Sequence, residues 1–340
     1  MLARLLGLLC TTALACTAAT AAENDIEAFY KGKTIDLIIA SEVGGGYDAY
    51  ARLIAPFMEK HLPGAPRIVP KQMIGAGGIV ATNYLANVAK KDGTVIAQVQ
   101  NTVPFQPLFT PEAARFKATE LGYIGSANSE VSVSFVWSAS PTQSLAHLRE
   151  RETLMAGVTG SISSQYARAM NELIGTKIKL VVGYQGASQS LMAVERGEVE
   201  GYPAIFWSTL KVTKAQWLEQ KSIRLVAQMA LRKHPELPEV PLIFDFSDNE
   251  RNRQIAELLF APQVGGRPFI APPGVPPARL AALQDAFAAS LKDPDFIAEA
   301  AKRKLEIQYT SGPELLALVA KAFAASPDVI GEVRRIYDGK

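Results

Sequence analysis

Cysteine and histidine are scarce in this 340-residue chain, and each scarcity removes a class of chemistry. Both cysteines, Cys10 and Cys16, stand within the first 22 residues. Beyond that point no disulfide, thiolate metal site or cysteine nucleophile can be built. The three histidines, His61, His147 and His234, are far apart in sequence, and none has the His-Glu-x-x-His spacing of a metal site. The balance of 35 Lys and Arg against 33 Asp and Glu leaves a net charge of +2, with neither sign gathered into a long block. A nucleic-acid partner, which requires a clustered basic face, is not expected.

Catalytic and nucleotide motifs are also missing. The serines Ser161, Ser163, Ser164, Ser188 and Ser190 sit in no Gly-x-Ser-x-Gly elbow. A secreted α/β hydrolase using a loop serine therefore stays an alternative only because a triad can be assembled from distant residues. Gly44-Gly45-Gly46 is followed by no Lys-Ser/Thr, which excludes a P-loop. Gly75-Ala76-Gly77-Gly78-Ile79-Val80 has two of the three glycines of a dinucleotide fingerprint, but Val80 fills the last position. Gln98-Val99-Gln100 stands where the ribose-binding acid belongs, so no cofactor is expected.

What is present begins with a leader. Arg4, the apolar run 5–14 and the small residues Ala18-Ala19-Thr20-Ala21-Ala22 have the pattern of a cleavable signal peptide over 1–22. The pattern predicts export to the periplasm. No later segment is long and apolar enough to span a bilayer, so no direct membrane insertion is expected after cleavage.

From residue 33, short apolar runs alternate with stretches of helical period, which predicts an α/β fold with largely parallel sheets. Strands are expected over 34–40, 67–72, 94–98, 123–125, 131–137, 153–157, 179–182, 201–206 and 223–229. Helices are expected over 47–60, 78–90, 163–173 and 188–196. The Pro- and Gly-rich stretch 261–277 reads as a connection between lobes. Helices over 277–291, 295–304, 313–323 and 328–337 follow, with a short strand at 305–309.

Glycine or serine loops recur at helix starts: Gly44–Asp48, 74–78, 159–164 and 184–188. Free N–H groups and the positive end of the helix dipole make each a candidate anion site. Several residues admit a structural role as well. Asp48 suits the first turn of its own helix, Ser163 or Ser164 suits a cap, and Tyr184, Tyr202, Phe206 and Trp207 suit a core. Tyr47 sits inside the glycine loop, where a ligand-facing role is the more natural one.

These segments resemble the periplasmic substrate-binding proteins of tripartite tricarboxylate transporters, the Bug or TctC type. The resemblance rests on Gly44-Gly45-Gly46-Tyr47-Asp48 with Ala51-Arg52-Leu53, Gly75-Ala76-Gly77-Gly78, and Lys91-Asp92-Gly93-Thr94. It continues through Gly160-Ser161 with Ser163-Ser164, Tyr184-Gln185-Gly186, Arg196-Gly197-Glu198-Val199-Glu200-Gly201 and Ala271-Pro272-Pro273-Gly274-Val275-Pro276.

It implies a two-lobed, type II-like periplasmic-binding-protein fold: each lobe a mixed, mostly parallel sheet flanked by helices, with the ligand cleft between the lobes. Lobe 1 would take 23–127 and 265–340, and lobe 2 would take 128–264. The implied function is capture of a small mono- or dicarboxylate by lobe closure, without catalysis, and its delivery to membrane transporter subunits. A ligand-loaded partner of a sensory receptor is an alternative. Carried over residue by residue, ligand contacts fall on Gly45, Gly46, Tyr47, Asp48, Ala76, Gly77, Gly160, Ser161, Ser163 and Ser164, with Gly186, Tyr202 and Phe206 as further candidates. Members often read Pro-Gly-Gly-Gly-Thr-Asp at the first loop, whereas Val43 and Tyr47 replace the Pro and Thr here. The apolar segment 202–207 makes an aromatic or long-chain acid as plausible as citrate.

Overall fold

The computed structural model describes residues 25–338, apart from Glu42, Gly160, Gln185 and Asp248. The leader expected over 1–22 lies outside these residues. The chain divides into two compact units, one with residues up to Val103, Glu112–Asn128 and Arg267–Ala317, the other with Pro104–Pro111, Ser129–Gly266 and Leu318–Lys340.

The first unit is built on a six-stranded sheet. Its strands are β1 (Thr34–Ile39), β2 (Arg67–Gln72), β3 (Val95–Gln98), β4 (Gly122–Ser126), β10 (Pro268–Ala271) and β11 (Thr310–Ser311), in the order β11-β4-β10-β3-β1-β2. β1 runs parallel to β2 and β3, while β10 runs antiparallel to β3 and β4. Ile35, Leu37 and Ile39 alternate onto one face and pack against Tyr50, Leu53, Ile54 and Met58 of the Gly46–His61 helix, with Phe269, Phe287 and Phe296 completing that core. Burying each such side chain is worth about 1.5–3 kcal/mol, so this face fixes where the helix starts.

The second unit carries a five-stranded sheet in the order β7-β6-β8-β5-β9. Its strands are β5 (Ser132–Trp137), β6 (Thr153–Ala156), β7 (Ile178–Val181), β8 (Gly201–Phe206) and β9 (Ile223–Met229). β6 is parallel to β7 and β8, and β5 is antiparallel to β8 and β9. Phe135, Tyr202, Trp207 and Trp217 dominate its core. Both sheets are mixed, and helices flank them, so the chain is α/β as the pattern predicts; the sheets are not mostly parallel, however, because β4, β5, β9, β10 and β11 pair only antiparallel with their neighbours.

Three differences from the sequence reading have physical causes. The stretch 261–277 is more than a connection: Pro262 lies inside the Glu250–Val264 helix, and Pro268 opens the fully buried strand β10. A proline at the first residue of a strand forfeits no ladder bond that the interior needs. Residues 305–309 are not a strand, and β11 begins at Thr310. Finally, residues from Leu318 onward group with the second unit, not with lobe 1. The Pro327–Asp338 helix buries Val329, Val333 and Ile336, its Arg334 Nε donates to the Leu108 carbonyl at 2.6 Å, and Phe109 stacks on Tyr337 at 4.8 Å. Those contacts also tie the Pro104–Pro111 segment to the second unit.

Candidate functional site

The first helix start is bare of side-chain capping. Gly45 is its N-cap and provides no side chain to accept a first-turn N–H. The first backbone bond of the helix runs from Ala49 N–H to Gly45 O, at 2.9 Å. The amides of Gly46, Tyr47 and Asp48 thus precede the helical ladder, where a helix leaves donors for an outside acceptor.

Asp48 holds this loop in place. Its Oδ2 accepts from the Gly44 N–H at 3.0 Å, and its Oδ1 accepts from Arg52 Nε at 2.8 Å and Gln72 Nε2 at 2.6 Å. The side chain is 4 % exposed, and the Arg52 charge balances its own. A carboxylate so engaged strengthens the first turn through the helix dipole and does not present a bare negative charge to an arriving anion. Gly44, at φ +80°, takes the left-handed conformation that brings its N–H back to Asp48.

Tyr47 is tied sideways. Its hydroxyl donates to Asn101 Oδ1 at 3.2 Å and accepts from the Asn101 N–H at 3.1 Å, linking the helix start to the turn after β3. The Arg267 guanidinium lies 4.5 Å from the Tyr47 ring centre and 5.1 Å from that of Tyr50. A Cβ on Gly46 would meet Arg267 Nη2 at 3.4 Å, so this buried cation stands beside the glycine loop. Sequence reasoning missed Arg267 because it follows Gly265-Gly266 and precedes a proline, the composition of a linker. Its only signal was a basic residue two positions before Phe269.

A second loop in the same unit lines a cavity of about 300 Å³ with Ala40, Ser41, Ile74, Gly75, Ala76, Gly77, Gly78 and Gln100. Gly75, Ala76, Gly77 and Gly78 all have positive φ, at 147°, 43°, 61° and 95°. Glycine adopts such a run at little cost, whereas Ala76 is strained, and strain of this kind gathers at functional sites. Gly78 caps the Ile79–Asn87 helix, again without a side-chain cap. Val43, Ile74 and Val80 stay exposed, which gives the two loops an apolar rim.

In the second unit the two expected loops differ in kind. Ser161 caps the Ile162–Ile174 helix, its Oγ accepting from the Ser163 N–H at 3.3 Å. Ser161 Oγ also donates to the Val158 carbonyl at 2.8 Å, Ser164 Oγ donates to the same carbonyl at 2.7 Å, and Ser163 Oγ accepts from the Val158 N–H at 3.0 Å. These hydroxyls close their own loop, and Gly160 between them lies outside the described residues. By contrast, Gly186 caps the Ala187–Glu195 helix with no side-chain bond, so this start resembles the one at Gly45. Tyr202 is buried, which raises its phenol pKa, opposed by the hydroxyls of Ser163 and Ser190. Phe206 is half-buried at the end of β8 and precedes the Trp207–Thr213 helix.

A larger cavity, about 600 Å³, opens elsewhere in the second unit, lined by Gln254, Leu258, Ala261, Ala322 and Val329 with the acids Glu250 and Glu257. Lys321 is committed to Glu257 at 2.7 Å. One cation against two carboxylates leaves an environment that disfavours an organic anion, so size alone does not mark this cavity as an acid site.

Two mixed α/β units, each a sheet flanked by helices, make the fold of the periplasmic-binding-protein kind. The model of the tripartite tricarboxylate transporter family receptor, TctC, matches residues 50–334, and the chain belongs to that family. A TctC solute-binding protein from Polaromonas, solved with no ligand, superposes with a TM-score of 0.72 at 18 % identity, over 92 % of this chain and 100 % of that one. An R. palustris protein solved with adipate gives 0.61 at 19 % identity, over 90 % and 97 %. The UPF0065 protein in the tcbD-tcbE intergenic region of Pseudomonas sp. (strain P51) is 25 % identical over 237 residues, 68 % of each chain. Among the described residues no helix is long and apolar enough to cross a membrane.

Proposed function

We propose that this protein is an exported receptor that binds a small mono- or dicarboxylate and passes it to a membrane transporter of the tripartite tricarboxylate type. The observation that carries the reading is the helix start at Gly45: three amides ahead of the helical ladder, with the first-turn carboxylate of Asp48 turned back onto Gly44, Arg52 and Gln72. Family membership and the adipate held by the R. palustris relative support an acid as the ligand.

In this reading the amides of Gly46, Tyr47 and Asp48 and the loop at Ala76 and Gly77 receive a carboxylate. Gly186 supplies the corresponding helix start of the second unit. Asp48 keeps its loop in shape in the first unit, and Ser161, Ser163 and Ser164 do the same in the second. Dipole and amide contacts of this kind each contribute roughly 0.3–1 kcal/mol at an exposed end. Micromolar binding needs about 8 kcal/mol, so the apolar rim of Val43, Ile74 and Val80 contributes the remainder together with further hydrogen bonds.

Thermal-shift screening against organic acids tests this directly. An acid at a hundred times its Kd stabilises a receptor by about 2.7 kcal/mol, a rise of several degrees in Tm. Shifts by adipate or other acids are expected; shifts by sugars or peptides with none from any acid would overturn the reading. A serine-directed fluorophosphonate is expected to leave Ser161, Ser163, Ser164 and Ser188 unlabelled.

A further inference from the structure

Gln98 ends β3 and is fully buried, yet among the described residues neither its Nε2 nor its Oε1 meets a hydrogen-bond partner. Buried side-chain amides in folded proteins are almost always paired, so an amide with both ends unmet calls for a cause. Its place in the sheet supplies one. Gln98 is in register with Ile39 of β1 and Phe269 of β10, and follows Ile96 by two. Ile39, Ile96 and Phe269 all lie in the core beneath the Gly46–His61 helix. Strand alternation puts Gln98 on that same face, one step nearer the strand ends, at the level where the chain leaves β1 for the glycine loop: the Ala40 N–H bonds the Gln98 carbonyl at 3.0 Å. Arg267, two residues before Phe269, shares the face and lies over Tyr47 and Tyr50.

The chemistry of the amide narrows what fits. A carboxylate accepts only, so it satisfies Nε2 and leaves Oε1 unmet. A group that also donates, a hydroxyl or an ammonium adjacent to the carboxylate, satisfies both ends. Resting on the carboxylate reading above, we propose that Gln98 is a specificity-determining residue of the glycine-loop site, selecting acids that carry a hydroxyl or amino group over their unsubstituted analogues.

Matched acids test this by calorimetric titration of the full-length mature protein: succinate, malate and aspartate; adipate and 2-hydroxyadipate; 3-phenylpropionate, 3-phenyllactate and phenylalanine. In whichever series binds, the substituted acid is expected to bind at least about tenfold more tightly, because a site built to bond a hydroxyl rejects the analogue lacking it. Gln98→Leu is expected to bring that ratio close to one while leaving Tm unchanged or higher, since it removes an unpaired buried amide. Equal binding of matched acids by the wild type, or an unchanged ratio in Gln98→Leu, would overturn the assignment. Binding by no acid at all would contradict the carboxylate reading itself, and with it this one.

Discussion

The helix starts at Gly45 and at Ser161 follow the same local plan, a strand, a small-residue loop and a helix with Tyr-Ala-Arg, yet they dispose of their amides differently. At Ser161 the cap hydroxyl takes the Ser163 N–H, and neighbouring hydroxyls fold back on Val158. At Gly45 no side chain caps the helix, and the loop is held instead from within the first turn by Asp48. A loop can keep its shape and still leave amides to a ligand only when something else pins it. The Asp48 carboxylate does this from below, with Arg52 and Gln72 as its other partners. The faint sequence echo between the two segments therefore joins two unlike devices, and the true counterpart of Gly45 in the second unit is Gly186.

Removing the pin should give the largest effect. Asp48→Ala strands the Gly44 N–H, the Arg52 guanidinium and the Gln72 amide, and is expected to cost about 2–3 kcal/mol of stability and most acid binding. Chemical denaturation and titration measure the two. Gly46→Ala separates binding from folding. Its Cβ meets only Arg267 Nη2, at an ordinary 3.4 Å, so stability should change by less than about 0.5 kcal/mol while acid affinity falls about tenfold. An equal affinity would show that ligands do not approach the bare helix start.

Ser161→Ala should do the reverse. Loss of a serine cap costs about 1 kcal/mol of stability, and affinity should move less than about threefold. Acid sharpens the comparison least, because each unit has its own held carboxylate. In the first unit, hydrogen bonds from Lys60 and then His61 keep Asp293 well below the usual carboxylate range. In the second, burial pushes Glu200 upward, but bonds from Arg151, Ser140 and the Leu154 N–H outweigh it and leave it below its ordinary value. Both folded values lie below the unfolded ones, so the stabilisation is full above about pH 4–5 and declines as pH falls through the folded values. Asp293→Asn should flatten the acid limb of Tm against pH in the first unit, with the Glu200 limb of the second preserved.

Much of this architecture was legible because it follows from period and punctuation. The apolar run before Gly44, the helical spacing of Leu53, Ile54, Phe57 and Met58, and the glycine stops at 175 and 197 encode local structure in local sequence. β10 was hidden because Pro268 and the prolines after Ala271 look like a break, while burial of Phe269 and Ile270 is settled only by distant strands. Arg267 was hidden with it. Gln98 was visible as a polar residue ending the apolar run Val95-Ile96-Ala97, but that its amide lacks partners depends on register with Ile39 and Phe269. Sequence offered Asp48 as either a helix-dipole acid or a ligand group, and only its three bonds show how it is used. Likewise, sequence offered Ser161, Ser163 and Ser164 as ligand contacts, with a cap as the other role for Ser163 or Ser164, and the bonds of all three to Val158 show how they hold the loop.

The central claim is that a carboxylate sits at the bare glycine start, and a structure with a bound acid tests it most directly. The account predicts a ligand carboxylate oxygen at about 2.7–3.2 Å from backbone nitrogens among Gly46, Tyr47 and Asp48. An acid seated instead among Glu250, Glu257 and Ala322 of the larger cavity, with those amides untouched, would contradict it.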